Sequence, residues 1–443
     1  MDVDSAVIQK HRRKASAYET YPSSEWFVEA FGATALDAVL TASSTSRTPN
    51  FAIDLRLPTS GLHWTTSALA DIPFLLRAEI DLYGARFDDR PAVDEMRVFW
   101  NDAIPITPEV LMHALHQTFD ISPCAHLSVV IDPLAGSVAA LRALRGEGFS
   151  RIEINGGNDS VGWRATEMHT LWCVALAHEL GLISVGASFA YGLPGQSQHH
   201  LRQSVAALIA SAPSYICIRN VPDDHRLGSL VEYAHKDRST IRIIRMLITV
   251  VELLSEAGYE CIGQDLYALP SDPLTVAHHQ GRLLRKPHGL SLQAVSTILA
   301  IGPGALGATG NTYYQNHLYS DDYRSAIARG ALPVMRGTLL GALDLVRGAV
   351  IQGLTANMFV DLKAIEAAYL IDFRRTFSTE MQVLGEMEQA GLLLFDDAMI
   401  ELTQAGRLIA NSIAMIFDKP LRDACSCLAL QGSLKYTPSG VAL

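Results

Sequence analysis

Residues 126–132 read HLSVVID, residues 137–149 read SVAALRALRGEGF and residues 151–155 read RIEIN. The first and third runs are short, apolar and rich in β-branched residues, which is typical of buried strands. In the segment between them, apolar residues recur at spacings of three and four, which indicates a helix. Two strands joined by one helix predict a parallel βαβ unit, because parallel neighbours need a crossover connection.

The same alternation extends in both directions from this unit. Further strands are predicted, with helical segments between them, at 51–57, 96–100, 182–192 and 214–220. Six such strands predict an α/β fold with a parallel sheet, either closed in part into an incomplete barrel or open as a doubly wound sheet. Periodicity does not separate the two architectures. In both of them, ligands bind at the C-terminal ends of the strands.

The chain changes character after about residue 235, and helical patterns dominate from about 338 to 430. Residues 392–411, LLLFDDAMIELTQAGRLIAN, predict a short β-ribbon followed by a helix, as in a winged helix. This segment carries Asp396, Asp397 and Glu401. Because DNA binding needs a basic surface, packing against the barrel is the favoured interpretation.

Composition excludes several classes of function. The chain has 443 residues and a net charge of −11, which argues against a nucleic-acid surface because phosphate binding needs a basic stripe. No apolar run reaches the roughly 18 residues of a membrane helix, and no secretory signal is recognisable. The six cysteines are scattered and fit reduced thiols. We therefore expect a cytoplasmic protein with neither a nucleic-acid nor a membrane partner.

Several dispersed segments resemble the oxygen-independent coproporphyrinogen III oxidases, members of the radical S-adenosylmethionine (SAM) superfamily. They are YETYPS at 18–23, GYECIGQD at 258–265, LTQAGRLI at 402–409 and MIFD at 415–418. The matches follow the family's order over roughly residues 18 to 425. The resemblance implies a partial, TIM-like (β/α)6 radical-SAM barrel with a helical, winged-helix-like C-terminal domain. We accordingly expect an N-terminal arm over 1–50, the barrel and its extension over 51–320, and the helical domain over 321–443.

In this superfamily, a C-x3-C-x2-C motif after the first strand holds a [4Fe-4S] cluster. Aligning Pro58 with the family's proline places Ser60, Trp64 and Ser67 in the three ligand positions. A serine hydroxyl is a poor substitute for a soft thiolate, and an indole N–H is only a donor. The sequence therefore argues against a [4Fe-4S] cluster and predicts no metal site.

Other positions with a cofactor role in the family also differ. Asp54 and Arg56 match a tyrosine and a histidine of the first strand, and Asn101 and Asp102 fall in the glycine-rich turn after the second. The family's later glutamate, glutamine and aspartate correspond to Val130, Gly157 and Ser188.

From these matches we expect a polar pocket at the mouth of the barrel. Its candidate residues are Asp54, Arg56, Asn101, Asp102, Gly157, Asn158, Ser188, Tyr191, Asp265, Gly302 and Gly304. Several have a purely structural alternative. Gly157 and Asn158 fit an ordinary turn, Gly302 and Gly304 fit a plain loop, and Asp265 fits a turn cap.

Three functions are open at this point. The first is a pseudoenzyme that has lost radical chemistry and binds a tetrapyrrole, another small molecule or a protein partner. The second is a non-radical enzyme that uses Asp54, Arg56, Asp102 or Asp265 as acid, base or clamp. The third, implied by the resemblance alone, is oxidative decarboxylation of coproporphyrinogen III to protoporphyrinogen IX in haem biosynthesis. Binding of SAM or of a tetrapyrrole is compatible with the sequence.

Overall fold

The structure is a computed structural model. It describes residues 5–12, 21–44, 50–59, 63–134, 136–155, 163–193, 195–220, 240–287 and 289–418.

All six predicted strands are present, and two of them begin earlier than the sequence indicates. They are β1 Phe51–Arg56, β2 Ala92–Trp100, β3 Asp120–Ile131, β4 Arg151–Ile154, β5 Ser184–Tyr191 and β6 Tyr215–Asn220. Each strand pairs in parallel with the next one along the chain. A doubly wound sheet would reverse its strand order at a switch point, and β1 to β6 do not. Of the two architectures left open above, the structure therefore has the incomplete barrel.

The large sheet continues beyond these six strands at both edges. Its order is β14-β13-β12-β11-β1-β2-β3-β4-β5-β6-β8-β7. The added strands are β7 Glu260–Gly263, β8 Leu266–Ala268, β11 Thr297–Ile301, β12 Leu306–Thr309, β13 Thr312–Asn316 and β14 Val334–Leu339. A separate two-stranded hairpin consists of β9 Leu284–Lys286 and β10 Gly289–Ser291. The sheet thus extends past residue 320, where we placed the expected domain boundary.

The predicted C-terminal ribbon is a hairpin in a three-stranded antiparallel sheet. Its strands are β15 Phe359–Asp361, β16 Leu393–Phe395 and β17 Met399–Leu402, in the order β15-β17-β16. Thr403 caps the helix that follows, since its hydroxyl accepts a hydrogen bond from the Gly406 N–H. A separate hydrophobic core, including Leu384, Ile400 and Phe417, holds this winged-helix-like part together.

Helices connect the strands of the barrel and cover its outer face, and further helices form the C-terminal part. In the described ranges they are α1 Ser5–His11, α2 Ala33–Ser44, α3 Thr66–Leu69, α4 Ile72–Gly84, α5 Pro108–Thr118, α6 Val138–Gly146, α7 Trp163–Glu179, α8 Gln198–Ala210, α9 Thr240–Glu256, α10 Pro273–His279, α11 Ser320–Ala328, α12 Ala342–Gln352, α13 Leu362–Tyr369, α14 Phe373–Thr376, α15 Ser378–Gln389, α16 Gln404–Arg407 and α17 Ala410–Ala414. None of them is long and apolar enough to cross a membrane.

Candidate functional site

Alternation along the strands separates an apolar outer face from a charged inner face. In β1, Ile53 and Leu55 belong to the main hydrophobic core beneath the helices. Asp54 and Arg56 point the other way, into the barrel, because successive side chains of a strand lie on opposite faces. The cross-strand registers extend this inner face to β6. We call its charged members the interior charge cluster: Asp54, Arg56, Arg97, Arg151, Glu153 and Arg219.

The centre of the cluster is a pair of buried ions, Arg97 and Glu153. An Nη2 atom of Arg97 lies 2.7 Å from Oε2 of Glu153, and Arg219 approaches the other carboxylate oxygen at 3.6 Å. Burial acts to raise the pKa of Glu153, but the positive charges of Arg97 and Arg219 outweigh it and lower that pKa. Glu153 therefore remains an anion inside the barrel.

Asp54 and Arg56 form a second pair on β1, at the same levels of the barrel as Arg97 and Glu153. Asp54 is fully buried, and its Oδ2 atom accepts hydrogen bonds from Arg56 Nε at 2.9 Å and from the Leu306 N–H at 2.8 Å. The guanidinium of Arg56 stacks on Phe99, with its carbon atom 4.6 Å from the ring centroid. The position of the Arg56 side chain is thus fixed on two sides.

One end of the barrel is covered by the β9–β10 hairpin. Arg151 donates to the Leu290 carbonyl at 3.0 Å. Gly289 lies against the guanidinium of Arg97, where an added Cβ would come within 2.7 Å of an Nη atom. Glu95 accepts a hydrogen bond from Ser291 of the same hairpin.

The described residues at the expected cluster-ligand positions make ordinary protein contacts. Trp64 is buried in the main core, where its indole N–H donates to the Leu318 carbonyl at 2.8 Å. Its ring packs edge-on against Tyr323 at 6.0 Å. Ser67 lies in the short helix α3, with its hydroxyl 3.0 Å from that of Thr65. Ser60 lies outside the described residues.

Three other expected pocket residues contact neighbouring parts of the protein. Asn101 holds the turn after β2, where its amide donates to the Pro58 carbonyl at 2.6 Å and its oxygen accepts from the Ala103 N–H at 3.0 Å. Asp102 accepts a hydrogen bond from the Trp100 indole. Tyr191 lies in the core between the sheet and the helices. Each of these side chains thus contacts neighbouring protein groups.

Ser188 is buried on β5, and its hydroxyl has no hydrogen-bond partner among the described residues. It borders a cleft between β5, α7 and α8, whose lining includes Thr166, Leu171 and Leu208. The hydroxyl of Thr166 likewise lacks a partner within the described chain.

Asp265 sits in the turn between β7 and β8 with φ of 56°, in the left-handed region, and its carbonyl accepts from the Ile218 N–H at 2.8 Å. Gly302 has φ of 92°, and a Cβ there would lie 2.1 Å from the Arg56 carbonyl oxygen. A Cβ added at Gly304 would likewise lie 2.6 Å from Cδ2 of Leu318. The close approach at both glycines is therefore made by protein atoms. Gly157 and Asn158 lie outside the described residues.

A second buried polar group lies on the outer face of β11. Glu79 of α4 is fully buried, and its carboxylate accepts hydrogen bonds from the Gly302 N–H at 2.7 Å, from Asn316 Nδ2 at 2.7 Å and from the Tyr323 hydroxyl. We call these four residues the Glu79 network. Burial raises the pKa of Glu79 to about 7, although all three hydrogen bonds act to lower it.

Glu79, Arg97, Glu153 and Arg219 are not among the residues expected from the sequence, although each leaves a signal in it. Arg97, Glu153 and Arg219 are charged residues at alternate positions of otherwise apolar predicted strands. Glu79 lies between Leu75 and Tyr83 on the buried stripe of α4. Within the described part of the chain, no group of three or more His, Cys, Asp or Glu side chains could hold a metal ion.

The fold and the interior define an incomplete α/β barrel with a helical, winged-helix-like C-terminal part. No family model matches the chain. It is similar to the oxygen-independent coproporphyrinogen III oxidase of Pseudomonas aeruginosa, with 30% identity over 66% of this chain and 65% of that one. The protein of the same name from Helicobacter pylori is 28% identical over 72% of each chain, and that from Escherichia coli is 25% identical over 95% of this chain and 96% of that one.

Among solved structures, a coproporphyrinogen III oxidase from Escherichia coli, described as a radical SAM enzyme, superposes with a TM-score of 0.81. The superposition covers 95% of this chain and 99% of the other at 24% identity, and it confirms the fold. The chain is thus similar to the oxygen-independent coproporphyrinogen III oxidases over most of its length, and it spans just under two thirds of the Pseudomonas aeruginosa protein.

Proposed function

We propose that this chain is a family member without the [4Fe-4S] cluster and without radical chemistry, a pseudoenzyme whose barrel binds a small molecule. The observation that carries the proposal is the chemistry of the expected ligand positions. They hold Ser60, Trp64 and Ser67, none of which supplies a thiolate. Trp64 is packed into the core and uses its only polar group on the Leu318 carbonyl.

The cysteines of the chain do not compensate. Those in the described part are spread over different elements: Cys124 on β3, Cys173 on α7, Cys217 on β6 and Cys261 on β7. Cys425 and Cys427 lie in the sequence beyond the described residues. A cluster needs soft ligands that converge within one loop, so the donor set does not fit an iron–sulfur cluster.

The proposal is tested by anaerobic reconstitution with iron and sulfide. We expect the wild-type protein to retain far less than one iron per chain after desalting. Iron at about four per chain, with the visible absorption of a cluster, would overturn the proposal. A matched control is the triple variant Ser60→Cys, Trp64→Cys, Ser67→Cys, which restores the spacing of the motif in the same barrel. The wild-type protein after reconstitution, assayed with coproporphyrinogen III, is expected to form no protoporphyrinogen IX.

Binding is favoured over acid–base catalysis by the arrangement of the candidate groups. Asp54 and Arg56 neutralise each other, Asp102 is bound to Trp100, and Asp265 lies in the β7–β8 turn. General acid–base catalysis needs a titratable group within reach of the substrate, and these contacts engage the candidates with neighbouring protein groups.

Haem, coproporphyrin and SAM are the first ligands to test by thermal shift, because a ligand that binds only the folded state raises Tm.

A further inference from the structure

We propose that the mouth of the barrel binds an organic carboxylate, with the two terminal nitrogens of Arg56 as the primary contact. This inference deepens the proposed function, on which it rests, by assigning a ligand class to the barrel. It comes from the balance of charge inside the barrel and from the way Arg56 is held.

The interior charge cluster has an excess of positive charge. Four arginines, Arg56, Arg97, Arg151 and Arg219, face two carboxylates, Asp54 and Glu153. A third carboxylate, Glu95, lies deeper and has Lys286 beside it. The chain as a whole carries a net charge of −11, so this local excess is the reverse of its overall charge. The buried carboxylate of Asp272 lies near Arg151, so the remaining positive charge is on Arg56 and Arg219, whose side chains are partly exposed. An anion bound beside them would offset this charge.

Arg56 is the member of the cluster best placed to meet that anion. Only its Nε atom is used by Asp54, at 2.9 Å. Neither terminal nitrogen has a hydrogen-bond partner among the residues that the structure describes, and 22% of the side chain is exposed. The face of the guanidinium rests on Phe99. Two parallel N–H donors in a fixed plane match the two oxygens of a carboxylate.

The support behind Arg56 is rigid. Asp54 is fully buried and is itself anchored by the Leu306 N–H at 2.8 Å. The side chain of Arg56 therefore loses little conformational entropy when a ligand binds, which favours affinity. Arg219, with 29% of its side chain exposed, carries a further positive charge on the same inner face. Phe99 and Val130 are the neighbouring uncharged side chains in the same layer, so the ligand would place an apolar body beside its carboxylate.

The test is a thermal-shift and calorimetric titration of the full chain with benzoate, citrate and coproporphyrin III, each beside its neutral ester. We expect at least one free acid to bind saturably and its ester to bind about tenfold more weakly or not at all. The variant Arg56→Gln should weaken binding of that acid by about tenfold or more, because a charge-assisted bidentate contact is lost.

Two further variants keep the result interpretable. Arg56→Lys retains the positive charge but not the two parallel N–H donors. Its affinity for the acid should therefore fall between those of the wild type and of Arg56→Gln. Arg77→Gln removes an exposed arginine that pairs with Asp81 on the surface of α4, and it should leave the affinity unchanged. The Tm of each variant without ligand shows whether it is folded.

Binding of no free acid, or equal binding of acids and esters, would overturn the inference. So would stabilisation by inorganic phosphate with no response to the carboxylates, since that result assigns a different anion. Either result leaves the iron measurement intact, so a failure here is distinguishable from a failure of the proposed function.

Discussion

Two buried polar groups lie on opposite faces of the same sheet. Each contains a glutamate, and the pKa values of the two glutamates are shifted in opposite directions. In the Glu79 network, three neutral donors surround one carboxylate, and burial raises its pKa to about 7. In the interior charge cluster, arginines surround Glu153, and its pKa is lowered. Both carboxylates are shielded from water, so the difference lies in the presence of a countercharge. The first group joins α4, α11 and β13 to the end of β11, whereas the second provides charges inside the barrel.

Removal of the countercharge of Glu153 is expected to have the largest effect. Arg97→Met leaves Glu153 buried with only the longer contact to Arg219, and we expect a loss of roughly 3–5 kcal/mol in the free energy of unfolding. The double variant Arg97→Met, Glu153→Met removes both ions and should be much closer to the wild type. Urea unfolding of the three proteins measures this. A double variant as unstable as the single one would show that the loss of stability does not come from leaving Glu153 without its ion-pair partner.

The next largest effect concerns the pH dependence of the Glu79 network. Because the pKa of Glu79 is raised from 4.5 to about 7 on folding, the folded state holds its proton where the unfolded state has lost it. The resulting stability is complete below about pH 4.5 and is lost as the pH rises through about 7. Its full size is about 3 kcal/mol.

Glu79→Gln has no proton to lose, so its free energy of unfolding should fall less than that of the wild type between pH 5 and pH 8. Parallel urea titrations at several pH values measure the difference. Identical pH profiles for the two proteins would contradict the assignment of this dependence to Glu79.

A smaller effect is expected from the removal of one hydrogen-bond donor to Glu79. Tyr323→Phe removes one of three donors to Glu79, and we expect a loss of roughly 1.5–3 kcal/mol where Glu79 is ionised. Since the Tyr323 hydrogen bond acts to lower the pKa of Glu79, the pH at which the folded protein loses stability should also move upward. Thermal denaturation across a pH series reports both effects. An equal loss at acid and alkaline pH would argue for packing alone.

The smallest expected effect is at the edge of the Glu79 network. Trp64 packs against Tyr323 and donates to the Leu318 carbonyl. Trp64→Phe keeps an aromatic ring but leaves that carbonyl without its donor, and we expect a loss of about 1 kcal/mol in urea unfolding. A gain in stability would mean that the indole is strained in its site.

The fold was largely predictable because the strands and helices have distinct apolar periods. The six strands from β1 to β6 were recognised in order, and the C-terminal ribbon was located at β16 and β17. The starts of β2 and β3 were missed, since Asp94 and Glu95 in β2 and Ser122 and Pro123 in β3 interrupt the apolar pattern. Whether the parallel sheet was a barrel depended on strand order, which periodicity does not contain.

The candidate site was less predictable. Matching the sequence to the family's motifs identified Asp54 and Arg56, and their side chains do face the barrel interior. It also led to Asn101 and Asp102, which are engaged in contacts around the turn after β2, and to Gly302, which lies against the Arg56 carbonyl. Arg97, Glu153 and Arg219 come from three strands far apart in sequence. A sequence position does not reveal which neighbour a side chain meets.

The amino-acid sequence is enough to establish the alternation of strands and helices, the absence of a C-x3-C-x2-C motif and the family resemblance. These are properties of local periodicity and residue identity. Only the folded structure shows which charges meet inside the barrel, that Glu153 lies there beside arginines, and that Trp64 packs into the core. Those outcomes depend on the pairing of distant strands and on burial, which set the distances between charges and their exposure to water.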